Sequence, residues 1–328
     1  MSTNLVTAIR ETLHDEMRAD DRVVLLGEDV GARGGVFKVS DGFLDDFGEQ
    51  RVIDAPLAES GIVGVAIGMA MHGLRPVAEI EFADFIHPAF DQIVSEAARM
   101  RYRTDGDWTC PMVIRAPCGG GIHGALYHSQ SIEAFYAHVP GIKVVMPSTP
   151  GDAAGLLRTA IRDPDPVLFL EHKKCYRAIT GEVPEGDHTV PIGSAAVVRE
   201  GSDLSVITYG YELHRCLEAA DRLEQSDGLR AEVVDVRSLA PLDTETILRS
   251  VRKTSKAMVV YEDNRTYGAG AEIAATIAEE ALFDLDAPVV RIGGPDIPAM
   301  PYAAALEHVY TEPTPDHIFV ALRDLARF

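Results

Sequence analysis

Residues 119–131 read GGGIHGALYHSQS and follow the apolar run PMVIRAP. Two histidines, a tyrosine and two serines share this glycine-rich stretch, and no acid stands among them. Glycine lets a backbone turn sharply or approach a ligand closely, and imidazole exchanges a proton near neutral pH. A histidine in a glycine loop after a parallel strand lies at the carboxyl end of its sheet, where open α/β sheets bind ligands. His128 is therefore a candidate for chemistry, and His123 a second. Glu59 is the third candidate. It opens SGIVGVAIGMAMHG, a helical pattern carrying Gly61, Gly64 and Gly68. Each helical glycine costs up to about 1 kcal/mol relative to alanine, so close packing against another backbone or a flat ligand must offset them. A first-turn acid also suits the helix dipole, and Glu59 alone admits either reading.

Other chemistries fit less well. Gly119, Gly121 and Gly124 formally meet the G-x-G-x-x-G dinucleotide pattern. No helical pattern opens at Gly124, however, and no acid lies about 20 residues on to take a ribose. In YGAGAEIAATIAEE the sixth position of that pattern is Ile273, which suits tight helix–strand packing instead. Neither G-x-x-x-x-G-K-[ST] nor G-x-S-x-G occurs. Cys118, His123 and His128 admit zinc by spacing, although structural zinc sites pair their cysteines more closely than Cys110 and Cys118 stand.

The elements that must position these residues alternate. Leu5, Val6, Ile9, Leu13 and Met17 recur at helical spacing, followed by VVLLGED. Then come RVIDAP, a small-residue helix from Ser60, RPVAEIEF and a helix over PAFDQIVSEAARMRYR. The strand PMVIRAP, the loop, IKVVMPS, the helix PGDAAGLLRTAIRD and the strand PVLFLEH complete the first set. Residues 178–193, AITGEVPEGDHTVPIG, have no period and suggest a linker. A second set runs from DLSVITYG to PVVRIGG and ends in a helix over PDHIFVALRDLARF. Short buried-looking strands separated by helices indicate parallel sheets covered on both faces. The expected fold class is α/β, two doubly wound domains in tandem: 1–180, a linker at 181–193, and 194–328.

Composition bounds the partners. A chain of 328 residues, 46% of them apolar, is long enough for two cores. The net charge of -21 disfavours nucleic acid and anionic membranes. It suits a solvated surface or a basic protein partner. The longest apolar stretch, GIVGVAIGMAM, falls well short of the ~20 residues of a membrane span. The mixed charges of the first twenty residues resemble neither a secretory signal nor a transit peptide. Four cysteines without a CxxC pair point to a reducing compartment. A cytoplasmic location is expected, with a mature mitochondrial matrix form as the alternative.

Taken together, APLAESGIVGVAIGMAMHGLRPVAEIEFADF, PAFDQIVSEAARMRYR, GIHGALYHSQSIEAFYAHVPGIKVVMPSTP and RIGGPDIP resemble one family along nearly the whole chain. It is the beta subunit of the thiamine diphosphate-dependent decarboxylase component of 2-oxo acid dehydrogenase complexes. The resemblance implies an N-terminal pyrimidine-binding (thiamin-diphosphate-binding) fold and a transketolase C-terminal-like domain. It implies that Glu59 faces N1' of the cofactor's aminopyrimidine and shares a proton with it, as burial of a carboxyl favours. Phe85 matches the aromatic position on the pyrimidine face, and Leu57 and Gly61 are expected to line the same ring. His128 matches the histidine facing the substrate, with His123, Tyr127, Ser129 and Gln130 as supporting candidates.

The same resemblance implies that an alpha subunit holds the diphosphate through Mg2+ and a G-D-G motif, which this chain lacks. An α2β2 heterotetramer follows, paired beta to beta through the C-terminal domains. Its acidic surface is expected to dock the basic peripheral-subunit-binding domain of a lipoyl acyltransferase core. A K+ ion maps to the carbonyls of Cys110, Met112, Val113, Ala160, Asp163 and Asp165. HGALYHSQS and EFADFIHPAFDQIVSEAA look more like branched-chain members than pyruvate members, giving 3-methyl-2-oxobutanoate dehydrogenase activity as the expectation. His87 departs from the bulky apolar residue expected there. Pyruvate or acetoin subunits are the alternatives, and a non-catalytic assembly scaffold of the same fold is a remote one.

Overall fold

The computed structural model describes residues 2–310 and 313–328, with the backbone alone at Tyr310. The chain forms two compact units. The first takes the chain through Cys118 together with Phe135–Ile192, and the second takes Gly119–Ala134 with everything from Gly193 on.

In the first unit, helix Leu5–Ala19 starts at Asn4, whose side chain accepts the Thr7 N–H at 2.9 Å. Leu5, Ala8, Ile9, Leu13 and Met17, at i, i+3, i+4, i+8 and i+12, lie on its buried face. Helix Pro150–Arg162 begins with Thr149 as cap and Pro150 in its first turn. Glu16 joins the two helices by accepting from Arg158 Nε at 3.1 Å and Arg162 Nη2 at 2.7 Å.

The strands of this unit are β1 (Ser2–Asn4), β2 (Val23–Gly27), β3 (Val52–Asp54), β4 (Arg75–Glu79), β5 (Val113–Cys118), β6 (Lys143–Val145), β7 (Val167–His172) and β8 (Thr180–Glu182). Six of them run parallel in the order β6-β7-β5-β4-β2-β3. β2, β5 and β7 are buried at every position, as a sheet covered on both faces requires.

A charged cluster sits inside this sheet. Arg115 on β5 is 1% exposed. Its Nε and Nη2 donate to the two Glu171 oxygens at 2.7 and 2.8 Å, and its Nη1 donates to Glu79 at 2.6 Å. Burial opposes the charge on Arg115, but Glu171 and Glu79 outweigh it and hold the guanidinium firmly protonated. Tyr176 also donates to Glu171. From Tyr176 an aromatic chain runs outward: Phe37 at 5.0 Å, Phe82 at 5.5 Å from Phe37, and Phe85 at 5.7 Å from Phe82.

The second unit contains β9 (Ala196–Arg199), β10 (Leu204–Thr208), β11 (Ala231–Asp235), β12 (Ser238–Ala240), β13 (Ala257–Asn264) and β14 (Val290–Gly294). Its five-stranded sheet is ordered β14-β13-β10-β11-β9, and only β9 runs antiparallel. Helices Glu212–Asp227 and Pro315–Ala326 cover one face, packing Leu213, Cys216, Leu223, Ile318 and Leu322 onto Val206, Val233 and Val260.

Three features depart from the sequence reading. PAFDQIVSEAARMRYR is not one helix: a π-helical segment, Gln92–Ala97, separates a 3₁₀ turn from the short helix Met100–Arg103. The Gly141 backbone presses there so closely that a Cβ on it would lie 1.9 Å from the Ala98 carbonyl oxygen. The proposed linker begins with an ordered strand, because β8 pairs antiparallel with β1. The glycine-rich loop, expected in the first domain, packs with the second unit because carboxylates there accept its N–H groups. Among the described residues no helix is long and apolar enough to cross a membrane. The four cysteines are buried and form no disulfide among the described residues.

Replacing Arg115 with Met leaves Glu79 and Glu171 buried without their cation and is expected to cost ~3–5 kcal/mol. Urea unfolding at neutral pH measures it. A loss of about 1 kcal/mol or less, the value of an exposed pair, would show that the buried charge is dispensable.

Candidate active site

Parallel strands place their carboxyl ends on one edge, and three acidic segments leave the first unit there. β2 ends at Gly27 and runs into Glu28 and Asp29; β4 ends at Glu79 and runs into Glu81. β3 ends at Asp54 and leads to Glu59, the first residue of helix Glu59–Met71. Asp54 turns back to accept the Gly31 N–H at 2.6 Å.

Glu59 is half-buried. Its charge is felt by its neighbours. Burial, then Asp29, then Glu59 raise the Glu28 carboxyl. Burial, then Glu28, Asp29, Glu79 and Glu59, push Glu81 up to about 7. With its carboxyl at about 7, Glu81 keeps a proton in part of the molecules near neutral pH. The sequence reading identified Glu59 but missed Glu28 and Glu81, whose only local signal is an acid directly after a buried strand.

Around Glu59 the helix is open. Leu57 is 74% exposed and Gly61 and Gly64 are exposed. A Cβ on Gly61 would meet only Ala58 at 3.6 Å, and one on Gly68 would meet no described atom within 4 Å. The backbone or ligand expected to cover these glycines is not supplied by the described residues of this chain. Phe85 closes a 3₁₀ turn, Ala83–Phe85, and packs edge-on against Phe82. His87 is exposed and meets Phe135 edge-on at 5.4 Å.

The loop candidates belong to the second unit. Gly119 and Gly121 take φ near +82°, and His123 and Ala125 take +59° and +58°, so the chain reverses within a few residues. A Cβ on Gly124 would stand 2.7 Å from that of His128 and 2.8 Å from its carbonyl oxygen, so only glycine fits. His128 Nδ1 lies 3.2 Å from the Gly124 carbonyl, which fixes the ring over this turn. Gln130 Nε2 donates to the Leu126 carbonyl at 3.1 Å. Tyr127 is 63% exposed, whereas Ser129 is wholly buried with its hydroxyl unpaired.

Carboxylates far along the chain hold this loop. Glu262 accepts from Gly120 N–H at 2.7 Å and Ser131 Oγ at 3.0 Å. Glu307 accepts from Gly121 N–H at 2.9 Å and His123 N–H at 3.0 Å, and pairs with His123 Nδ1. At the loop's end Tyr209 donates to the buried Glu133 at 2.9 Å. Burial, then Asp263, raise the Glu133 carboxyl to about 8. No acid was needed within the loop, because acids reach it from elsewhere. Sequence reasoning missed all of them.

The carbonyls expected to bind K+ lie in the first unit, several already engaged. Cys110 accepts from Met112 N–H at 2.8 Å, Met112 from Val167 at 3.0 Å, and Ala160 from Asp163 at 3.2 Å. Arg75 Nη1 approaches the Asp163 carbonyl at 3.4 Å, and Lys143 Nζ lies 2.6 Å from both Asp163 carboxylate oxygens. Val113 continues β5, and Asp165 receives Arg101 Nε at 2.7 Å. Among the described residues no group of three or more His, Cys, Asp or Glu is placed to hold a metal ion, and Cys118, His123 and His128 do not form one.

The chain is similar to known proteins in both halves. Residues 2–178 match the family described as transketolase, pyrimidine binding domain, and residues 193–318 match transketolase, C-terminal domain. The 2-oxoisovalerate dehydrogenase subunit beta of Bacillus subtilis is 57% identical over 98% of both chains. The pyruvate dehydrogenase E1 component subunit beta of the same organism is 51% identical over 89% of this chain and 90% of that one. A solved split-gene transketolase, described as an inactive beta4 tetramer, superposes with a TM-score of 0.79 at 25% identity, covering 99% of this chain and 98% of its own. By sequence over its full length and by fold in both halves, the chain belongs to the family of 2-oxo acid dehydrogenase beta subunits.

Proposed function

We propose that this chain, with an alpha subunit, decarboxylates branched-chain 2-oxo acids and passes the acyl group to lipoamide. One observation carries the reading: Glu59 stands half-buried in an acidic group at the head of a helix whose glycine face is open. That arrangement fits the aminopyrimidine of thiamine diphosphate, which needs a flat space beside a carboxyl able to hold a proton. Phe85, anchored through Phe82, supplies an aromatic surface next to that space, and Leu57 and Gly61 line it. Thiamine diphosphate, when bound, supplies the nucleophilic carbon. Glu59 would hold the proton shared with N1', as a carboxyl facing that nitrogen can.

His128 faces the substrate. Its ring is tied to the Gly124 carbonyl, and it donates or accepts a proton as charge develops on the substrate. His123, Tyr127, Ser129 and Gln130 complete this side. Residues 1–180 and 194–328 act as pyrimidine-binding and assembly domains. The branched-chain assignment is supported by the 57% identity with the 2-oxoisovalerate subunit. The 51% identity with a pyruvate subunit makes pyruvate the competing substrate to test.

The alpha subunit is assigned the diphosphate and Mg2+, because the G-D-G motif does not occur in this sequence. It also covers the open glycine face, giving an α2β2 heterotetramer. The net charge of -21 suits docking of a basic binding domain from a lipoyl acyltransferase core. K+ is assigned to the carbonyls around Cys110 and Asp163, and the cytoplasm is the assigned compartment.

Co-purification with the alpha subunit tests the whole reading. Light scattering is expected to show α2β2, with kcat/KM for 3-methyl-2-oxobutanoate at least about tenfold above that for pyruvate, as a pocket sized for extra methylenes gives. Equal or inverted preference rejects the substrate, and a monomeric chain that binds thiamine diphosphate tightly alone rejects the assembly. An unchanged melting temperature between NaCl and KCl rejects the ion.

Glu59→Gln should keep the assembly intact and lose decarboxylation by ~10²–10⁴-fold, since an amide cannot supply the proton. Turnover above a tenth of wild type would remove Glu59 from this role. His128→Ala should slow acylation of a lipoylated acceptor while calorimetry finds cofactor affinity unchanged. A wild-type rate with weakened cofactor binding would reverse that assignment.

A further inference from the structure

Glu307 is 2% exposed by side chain, whereas the His123 side chain it meets is 56% exposed. A carboxylate so nearly buried needs partners for both oxygens. It finds them in the N–H of Gly121 and of His123, with His123 Nδ1 on Oε2. The contact is specific to the loop's conformation. His123 stands at φ +59°, a region unusual for a residue other than glycine. There its own N–H and its ring nitrogen converge on one carboxylate. The two ring nitrogens of histidine are then no longer equivalent: a carboxylate on Nδ1 places the proton there and leaves Nε2 to exchange with the surroundings. The buried aspartate of a serine-protease triad orients its histidine in the same manner.

We propose that Glu307 and His123 form a carboxylate–imidazole dyad, with Glu307 as a positioning residue and His123 Nε2 as a second proton-exchanging group of the loop beside His128. The proposal rests on the reading that this loop faces the substrate. Glu262 accepts from Gly120 N–H and Ser131 Oγ at the roots of the loop. Glu307 lies 184 residues from His123. The short helix Ala304–Tyr310 thus gains a function beyond packing.

The test uses the enzyme assembled with its alpha subunit, comparing wild type, Glu307→Gln, His123→Gln and the double variant. The readouts are kcat and KM for the branched-chain 2-oxo acid with a lipoylated acceptor, and cofactor affinity. Glutamine keeps a carbonyl acceptor for a backbone N–H but cannot act as the anion that fixes Nδ1–H. Each single variant is expected to lower kcat by about 10–100-fold, the usual cost of losing a histidine's orienting carboxylate. KM and cofactor affinity should hold, and the double variant should be no slower than His123→Gln alone. Losses that multiply in the double variant would mean that Glu307 only braces the backbone, and would overturn the dyad. Wild-type turnover in His123→Gln beside a crippled His128→Ala would reject the dyad while leaving the reading of the loop standing. Wild-type turnover in both would reject that reading as well. Should Glu307→Gln fail to assemble, nitrogen-15 NMR of the histidine-labelled wild-type chain decides: an Nδ1–H tautomer at His123 supports the dyad, and an Nε2–H tautomer overturns it.

Discussion

A guanidinium inside a parallel sheet is tolerated only if its charge is answered at once, and Arg115 meets that condition through strands on both sides. Glu79 on β4 and Glu171 on β7 flank it, so three adjacent strands are cross-tied by charge-assisted bonds of 2.6–2.8 Å. Such a cluster contributes little net stability compared with an apolar core of equal volume, but it is intolerant of losing one member. What it enforces is register: Arg115 reaches both carboxylates only when Glu79 lies directly opposite it on β4. The carboxyl ends of β4, β5 and β7 are thereby aligned. Glu28, Glu81 and Phe85 are carried on segments that follow β2 and β4, and Glu59 on the segment that follows β3.

The aromatic chain from Tyr176 through Phe37 and Phe82 to Phe85 transmits that rigidity outward. Tyr176 is anchored at its hydroxyl by Glu171, the same carboxylate that holds Arg115. Lys173 adds a cation 5.8 Å from the Phe82 ring centre. Phe85 is thus linked through Phe82 and Phe37 to the charged core. The acids behave differently. Burial raises Glu28 and Glu81, and the nearby charges of Asp29 and Glu59 add to it. Rigid aromatic and proton-retaining acid are complementary demands, met by neighbouring loops of one sheet edge.

The histidine loop is organised by another principle. It makes no regular structure beyond a single 3₁₀ turn, Ala125–Tyr127, so its N–H groups need acceptors from outside. Glu262, at the end of β13, and Glu307, in a short late helix, supply them. Two of the loop's non-glycine residues sit at positive φ, a strain that persists where surrounding bonds over-determine it.

Much of this was legible in the residues themselves. The alternation of short apolar runs with amphipathic stretches sets parallel α/β architecture, because side-chain period reports which face is buried. Asn4 and Thr149 mark helix starts, and the run of glycines after Glu59 marks a helix face meant for something flat. Resemblance over the whole length identified Glu59, Phe85 and His128. Periodicity could not report the π-helical break at Gln92–Ala97 or the pairing of β8 with β1, since both depend on what packs alongside. Nor could it report that Glu79, Arg115 and Glu171 meet, that Glu28 and Glu81 gather near Glu59, or that Glu262 and Glu307 clamp the histidine loop. Sequence determines each strand's propensity and each residue's chemistry, which are local. Which charges face one another is decided only when strands far apart in the chain are brought into register, because Coulomb and hydrogen-bond energies depend on distance in space.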